Sequence, residues 1–221
     1  MGYIVVGSRK FEQWKRFATE AIGLHLACDS SDTLAFRMDD HARRLIIENH
    51  PCEDVQAIGW HLDDESALDI LLSRLASRGV TPERIEGTEA RARGVHALHR
   101  FKGPKGLLIE LFTQPVIDDV PLDMHASGFV VGRAGMGHVS LMSQEPARNI
   151  AFWQELLDAR LSDTIDLAKG NKVVMQVSFL RVNQRHHSVA IAATTSGSID
   201  MFRTRIQHLN LEVATLDDLS N

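Results

Sequence analysis

The stretch Gly137-His138-Val139-Ser140-Leu141-Met142 decides how this sequence is read, because Gly2-Tyr3-Ile4-Val5-Val6-Gly7 shows the same pattern 135 positions earlier. The same offset carries Phe17 onto Phe152, Ile22 onto Leu157 and Leu26 onto Leu161. Each stretch reads as a short strand of alternating apolar residues, a polar turn and an amphipathic helix, over Trp14 to Ile22 in one copy and Ala147 to Leu157 in the other.

Two further segments begin in the same way. Ala57-Ile58-Gly59-Trp60-His61-Leu62 precedes a helix over Ser66 to Ser77, and His208-Leu209-Asn210-Leu211-Glu212-Val213 precedes Leu216-Asp217-Asp218-Leu219. β-rich runs follow the helices, such as Thr33 to Met38 and Arg43 to Glu48 around the turn Asp39-Asp40, and Leu107 to Phe112 after Gly103-Pro104. The expected fold is therefore α+β, built from paired βαβββ modules in two domains, with the fourth module incomplete. Gln114 to Arg133 contains Pro115 and Pro121 and holds no period, so it reads as a connection. The expected division is residues 1–114, a linker at 115–133, and residues 134–221. By analogy with the second module some fifty residues are wanting, and the sequence is expected to be a C-terminally truncated copy.

Composition narrows the function. With 24 Lys+Arg against 29 Asp+Glu the formal charge is −5, which argues against a nucleic-acid partner. No run approaches the ~18 apolar residues of a membrane span, and Tyr3 to Val6 is too short for the apolar region of a signal peptide. Val6 breaks the myristoylation pattern that Gly2 opens. Cys28 and Cys52 lack Cys-x-x-Cys spacing, so neither a disulfide framework nor a thiolate zinc site is expected, and a reducing cytoplasm is the default location. Phosphate-loop, zinc-protease and nucleophile-elbow motifs are absent, and Gly132, Gly135 and Gly137 do not make a dinucleotide fingerprint.

What remains is histidine, eleven in all. A period of two puts His138 on one face with Ser140 and Met142, and His208 on one face with Asn210 and Glu212. If the modules pair about a pseudo-twofold, both imidazoles converge inside a cup-shaped sheet, as metal ligands must. The competing reading of either residue alone is a solvated strand-end histidine. Tyr3 and Ala57 stand at the matching positions of the first half, so metal chemistry would belong to the second domain only. In Asn183-Gln184-Arg185-His186-His187-Ser188, adjacent strand residues face opposite sides, so one of the two histidines can look into the cup; the alternative is a surface pair. Cys28, Cys52, His96, His99 and His125 read as structural or solvated, and Arg91 to Arg93 as an exposed basic face.

Gly135-Met136-Gly137-His138, the segment Asn183 to Ser188 with its Ala-rich strand, and His208 to Val213 together resemble the type I extradiol ring-cleaving dioxygenases of the vicinal oxygen chelate superfamily. The resemblance spans essentially the whole chain. It implies an N-terminal domain without catalysis and a C-terminal domain that binds Fe(II), with Mn(II) as the alternative metal. It implies His138 and His208 as two metal ligands, His187 as the catalytic acid/base, and Phe179 and Ser140 beside the substrate ring, leaving His186 structural. A catechol of bicyclic or biaryl type and O2 are the implied substrates, and a homo-oligomer the implied assembly at full length.

The family's third ligand, a glutamate, would fall by the repeat at about position 261. Glu110 occupies the matching place in the first domain. Losing one anionic ligand of three weakens metal binding, so the 221 residues alone are expected to be poorly active. Two other readings share the architecture: a glyoxalase-type metal-dependent isomerase or lyase, which uses no oxygen, and a non-catalytic module that binds an aromatic ligand without iron.

Overall fold

The computed structural model of the protein describes residues 1–169, 172–194 and 205–220. By its contacts the chain divides into two units, Met1–Met136 with Leu211–Asn221, and Gly137–Asn210.

In the first unit the elements run β1 (Tyr3–Ser8), α1 (Phe11–Arg16, continued by a π-helical turn Phe17–Ala21), β2 (His25–Asp29), β3 (Thr33–Arg37) and β4 (Leu45–Asn49). They continue with β5 (Asp54–His61), α2 (Glu65–Ser77), β6 (Glu83–Glu86), α3 (Gly87–Ala92), β7 (Ala97–Lys102) and β8 (Leu108–Phe112). One sheet of order β2-β3-β4-β1-β5-β8-β7-β6 joins these eight strands. β1 pairs parallel to β4 and antiparallel to β5, and β5 pairs parallel to β8. Strands buried on both faces read as continuous apolar runs, and Tyr3 to Val6, Leu45 to Ile47 and Ile109 to Phe112 are all buried here. α2 starts where the sequence supplies a cap: Asp64 Oδ1 accepts the Ala67 N–H at 2.8 Å.

The second unit repeats the first half of that plan. β9 (His138–Met142), α4 (Pro146–Leu157), β10 (Arg160–Lys169), β11 (Lys172–Arg181), β12 (Val189–Thr194) and β13 (Ile206–Asn210) form a sheet of order β10-β11-β12-β9-β13. The orientations match as well, β9 lying parallel to β12 and antiparallel to β13. Trp153 anchors α4, wholly buried, with its indole N–H donating to Asn149 Oδ1 one turn earlier at 3.1 Å. The architecture is the α+β arrangement of βαβββ modules that the repeat predicts. Among the described residues no helix is long and apolar enough to cross a membrane.

The structure differs from the sequence reading in four places. The segment after Gln114 is held down on the first unit: Val116 N–H donates to the Gly94 carbonyl at 2.8 Å, and buried Arg37 binds Asp118 and the Val120 carbonyl, each at 2.6 Å. The fourth strand begins at Ile206 rather than His208 and ends at Asn210 rather than Val213. The helix expected at Leu216 to Leu219 is a single 3-10 turn, Asp217–Leu219. Arg93, assigned to an exposed basic face, is buried, because two carboxylates await it in the core.

Two glycines are fixed by close approach. A Cβ on Gly59 would lie 2.4 Å from the Tyr3 ring. Gly135 has φ +71°, and a Cβ there would lie 2.4 Å from the Met1 carbonyl oxygen, beside the point where Met136 N–H donates to that same oxygen.

Asp218 ties residues 211–220 to the segment around Ser127. Its carboxylate accepts the Ser127 N–H at 2.6 Å, the Ser127 hydroxyl at 2.7 Å and the Thr215 hydroxyl at 2.8 Å. Those donors, the Ser127 N–H foremost, lower its pKa to about 2 from 3.8. A depressed carboxyl stabilises the folded form above its unfolded pKa and loses that contribution as pH falls through the folded one. The protection of the Ser127 and Thr215 amides, the slowing of their exchange relative to an unstructured peptide at the same pH, should therefore fall between about pH 4 and pH 2, and should already be low at neutral pH in Asp218→Ala. Protection that stays constant across that window would contradict the tie.

Candidate metal and catalytic site

The second unit brings three imidazoles together from three elements. His138 opens β9, His208 lies on β13, and His187 ends the turn that leads into β12. β-pairing sets the register: Asn210 is opposite His138 and His208 opposite Ser140, so His138, Ser140 and His208 share one face. The His138 and His187 ring centroids are 3.9 Å apart, and those of His138 and His208 5.6 Å. The first turn of the cup is fixed by backbone bonds, Val139 N–H donating to the Ser188 carbonyl at 3.2 Å and Ser188 N–H to the Leu180 carbonyl at 2.8 Å.

Burial, followed by the neighbouring histidines, pushes His138 down to about 4, and burial with His186 and His208 does the same to His187. Both rings are therefore neutral at pH 7, which leaves a nitrogen lone pair for a metal or a proton. A converging set of neutral imidazoles suits a first-row transition metal, and the donor chemistry of the face fits one.

Phe179, on β11, meets His187 edge-on at 4.7 Å between centroids. Ser140 is buried on the histidine face, and its hydroxyl donates to Gln207 Oε1 at 3.0 Å, a partner that the sequence reading did not anticipate. Nor did it anticipate the contact of His186 with the cluster: His186 Nδ1 lies 3.0 Å from His187 Nδ1, and its ring 5.5 Å from Phe179. Strand alternation would have sent the two histidines to opposite faces, but they sit in the turn before β12, where that rule does not hold.

The matching face of the first unit carries a different chemistry. Tyr3 is opposite Gly59 and Gly59 opposite Glu110, while Ala57 is opposite Val5, so Tyr3 and Ala57 stand where His138 and His208 stand in the second unit. The Tyr3 phenol crosses bare Gly59 and donates to Glu110 Oε2 at 2.6 Å. Arg100 Nε donates to Glu110 Oε1 at 2.7 Å, and Arg93 Nε lies 3.3 Å from Oε2 while also binding Glu48. Burial, and then the Glu110 charge, hold the Tyr3 phenol protonated well beyond its usual range. Two guanidinium groups neutralise the carboxylate here, in a fully buried position.

Comparisons with known proteins bear on the family of the chain. A family model described as "Dihydroxybiphenyl dioxygenase BphC D1" matches residues 1–49, and one described as "Glyoxalase/Bleomycin resistance protein/Dioxygenase superfamily" matches residues 135–221. A biphenyl-2,3-diol 1,2-dioxygenase of Metapseudomonas furukawaii is 31% identical over 226 residues, covering 99% of this chain and 71% of that protein. The chain belongs to the extradiol ring-cleaving dioxygenases.

A second member of this family, a 3-methylcatechol 2,3-dioxygenase of Pseudomonas putida, is 30% identical over 99% of the chain and 74% of its own length. Among extradiol dioxygenases of solved structure, one titled as BphC, a halotolerant catechol dioxygenase, superposes with a TM-score of 0.86 at 27% identity, over 100% of this chain and 72% of that one. The βαβββ modules of the extradiol dioxygenases are thus those seen here.

Proposed function

We propose that this enzyme uses Fe(II), held by His138 and His208, to open the ring of a bicyclic or biaryl catechol beside its two hydroxyls with O2. The observation that carries the proposal is the convergence of His138, His187 and His208 on one face, with ring centroids 3.9 and 5.6 Å from His138. Relatives named as biphenyl-2,3-diol and 1,2-dihydroxynaphthalene dioxygenases support a two-ring substrate. Two neutral nitrogens and one carboxylate make the facial donor set of non-haem Fe(II), which favours iron over Mn(II). A carboxylate would be the third donor of that set beside the two histidines. When bound, the metal would supply Lewis acidity toward the catechol and a path for electrons between catechol and dioxygen.

The chain's own residues supply proton transfer and orientation. Neutral His187 is the base for a catechol hydroxyl and, once protonated, the acid for a later step. The short contact between His186 Nδ1 and His187 Nδ1 leaves His187 Nε2 as the nitrogen to meet substrate. Phe179 gives the pocket an apolar wall edge-on to His187, which limits water at that ring. Ser140, fixed by Gln207, shapes the floor between the two ligand histidines. Free Cys28 and Cys52 support a reducing compartment, and we place the enzyme in the cytoplasm as a homo-oligomer.

In protein loaded with Fe(II), His187→Ala should keep the metal and lower kcat by about 10²–10⁴-fold. KM should change little, because the metal and Phe179 still hold the ring. Turnover equal to the parent enzyme would remove His187 from the mechanism.

A further inference from the structure

We infer that His186 is a positioning residue, which accepts the Nδ1–H of His187 and so holds His187 in the tautomer whose Nε2 is bare. The inference rests on the role proposed above for His187 as the base, and it makes that role depend on the neighbouring residue in the chain.

The two Nδ1 atoms lie 3.0 Å apart, with the ring planes at 89°. Two bare nitrogens at that distance repel and two N–H groups collide, so one proton lies between them. Its owner decides the chemistry, because a neutral imidazole with hydrogen on one nitrogen keeps the lone pair on the other. Burial assigns it. His187 is half-buried against His138 and Phe179, and among the described residues His186 is its one hydrogen-bond partner. Hydrogen on His187 Nε2 would leave that N–H without a protein acceptor, whereas hydrogen on Nδ1 is met by His186. His186 is exposed, so its own Nε2–H is met by water.

Adjacent residues of a strand could not make this bond, since their side chains leave on opposite faces. The turn before β12 makes it, and that turn is fixed at both ends. Asn183 Oδ1 accepts the Arg185 N–H at 3.0 Å, and the hydroxyl oxygen of buried Ser188 accepts the Val182 N–H at 3.4 Å. Phe179 contacts both rings, with centroids 5.5 Å from His186 and 4.7 Å from His187, which limits how far His186 can swing from its partner. An imidazole base oriented through its far nitrogen by a third group is a recurrent catalytic device. A buried carboxylate in that place is worth up to ~10⁴ in kcat, and a neutral, exposed acceptor biases the tautomer less.

The first test needs no turnover. At pH 7, long-range ¹H–¹⁵N correlation spectra of the metal-free protein should show hydrogen on Nδ1 and a bare Nε2 in His187, and the reverse in His186. In protein loaded with Fe(II), His186→Phe should keep a ring packed on Phe179 and yet lower kcat about 10-fold with KM unchanged. His186→Asn, whose side-chain oxygen takes the place of Nδ1 as acceptor, should recover most of that loss; a merely structural ring would give the opposite order. The expected tautomers in a parent protein that opens no ring would strike the reaction assigned to His187 and leave the bond to His186 standing. Hydrogen on His187 Nε2 in the parent, or a His186→Phe variant that turns over as the parent does, would overturn the inference.

Discussion

His138→Ala is expected to lose the catalytic metal and ring cleavage together. Changes to groups that merely orient a ligand lower metal affinity about 10–100-fold, and removing a direct donor should exceed that. The variant should still fold, because β9 is held by its backbone pairing with β12 and β13 rather than by the His138 ring. Metal content after gel filtration, measured with dichroism on the same sample, separates the two effects. A folded variant that retains stoichiometric Fe(II) would remove His138 from the ligand set.

Glu110→Ala should be the most destabilising single change in the first unit. Glu110 is fully buried, and its loss takes from Arg93 and Arg100 the one carboxylate they share, leaving Arg93 with Glu48 and Arg100 with the more exposed Glu89. Breaking a buried pair from one side costs about 3–5 kcal/mol. The Tyr3 phenol loses its acceptor in the same step, at ~1–3 kcal/mol for a buried group left unpaired. These figures overlap because the groups share one network, so the lower total of about 3–5 kcal/mol is the expected one. Glu110→Gln, which keeps an oxygen for Tyr3 but not the charge, should lose less. Urea unfolding of the whole chain reads the difference, and a Glu110→Ala midpoint within error of the parent would contradict the network.

Much of the fold is legible in the sequence because strand and helix periods recur at one offset. Tyr3 and His138 both open a central strand, and Phe11 and Pro146 both open the helix that follows. The same alternation brings out the equivalence of Ala57 and His208, which the strand registers repeat. What stays hidden has no local pattern. Arg93 sits in a charged run that resembles a solvated face, and only the positions of Glu48 and Glu110, far away in sequence, make its burial tolerable. Gly59 reads as a simple strand glycine until the Tyr3 ring is placed over it. The end of β13 at Asn210 was also invisible, since Leu211 and Val213 continue the alternation past the last paired residue.

The histidine site divides in the same way. His138 and His208 stand out by period and register, and His187 by the family resemblance. The closeness of His186 to His187 depends on a turn conformation, and the bond from Ser140 to Gln207 on an irregularity in the β9–β13 ladder between Ile206 and His208. Neither leaves a signal in composition or spacing.

Oxygen consumption tests the central claim most directly. The protein, loaded anaerobically with Fe(II), is mixed with 2,3-dihydroxybiphenyl in an oxygen-electrode cell. The account predicts one O2 consumed for each catechol opened, with the uptake lost in His138→Ala. Catechol bound without oxygen uptake, or converted without it, would contradict ring cleavage at this site.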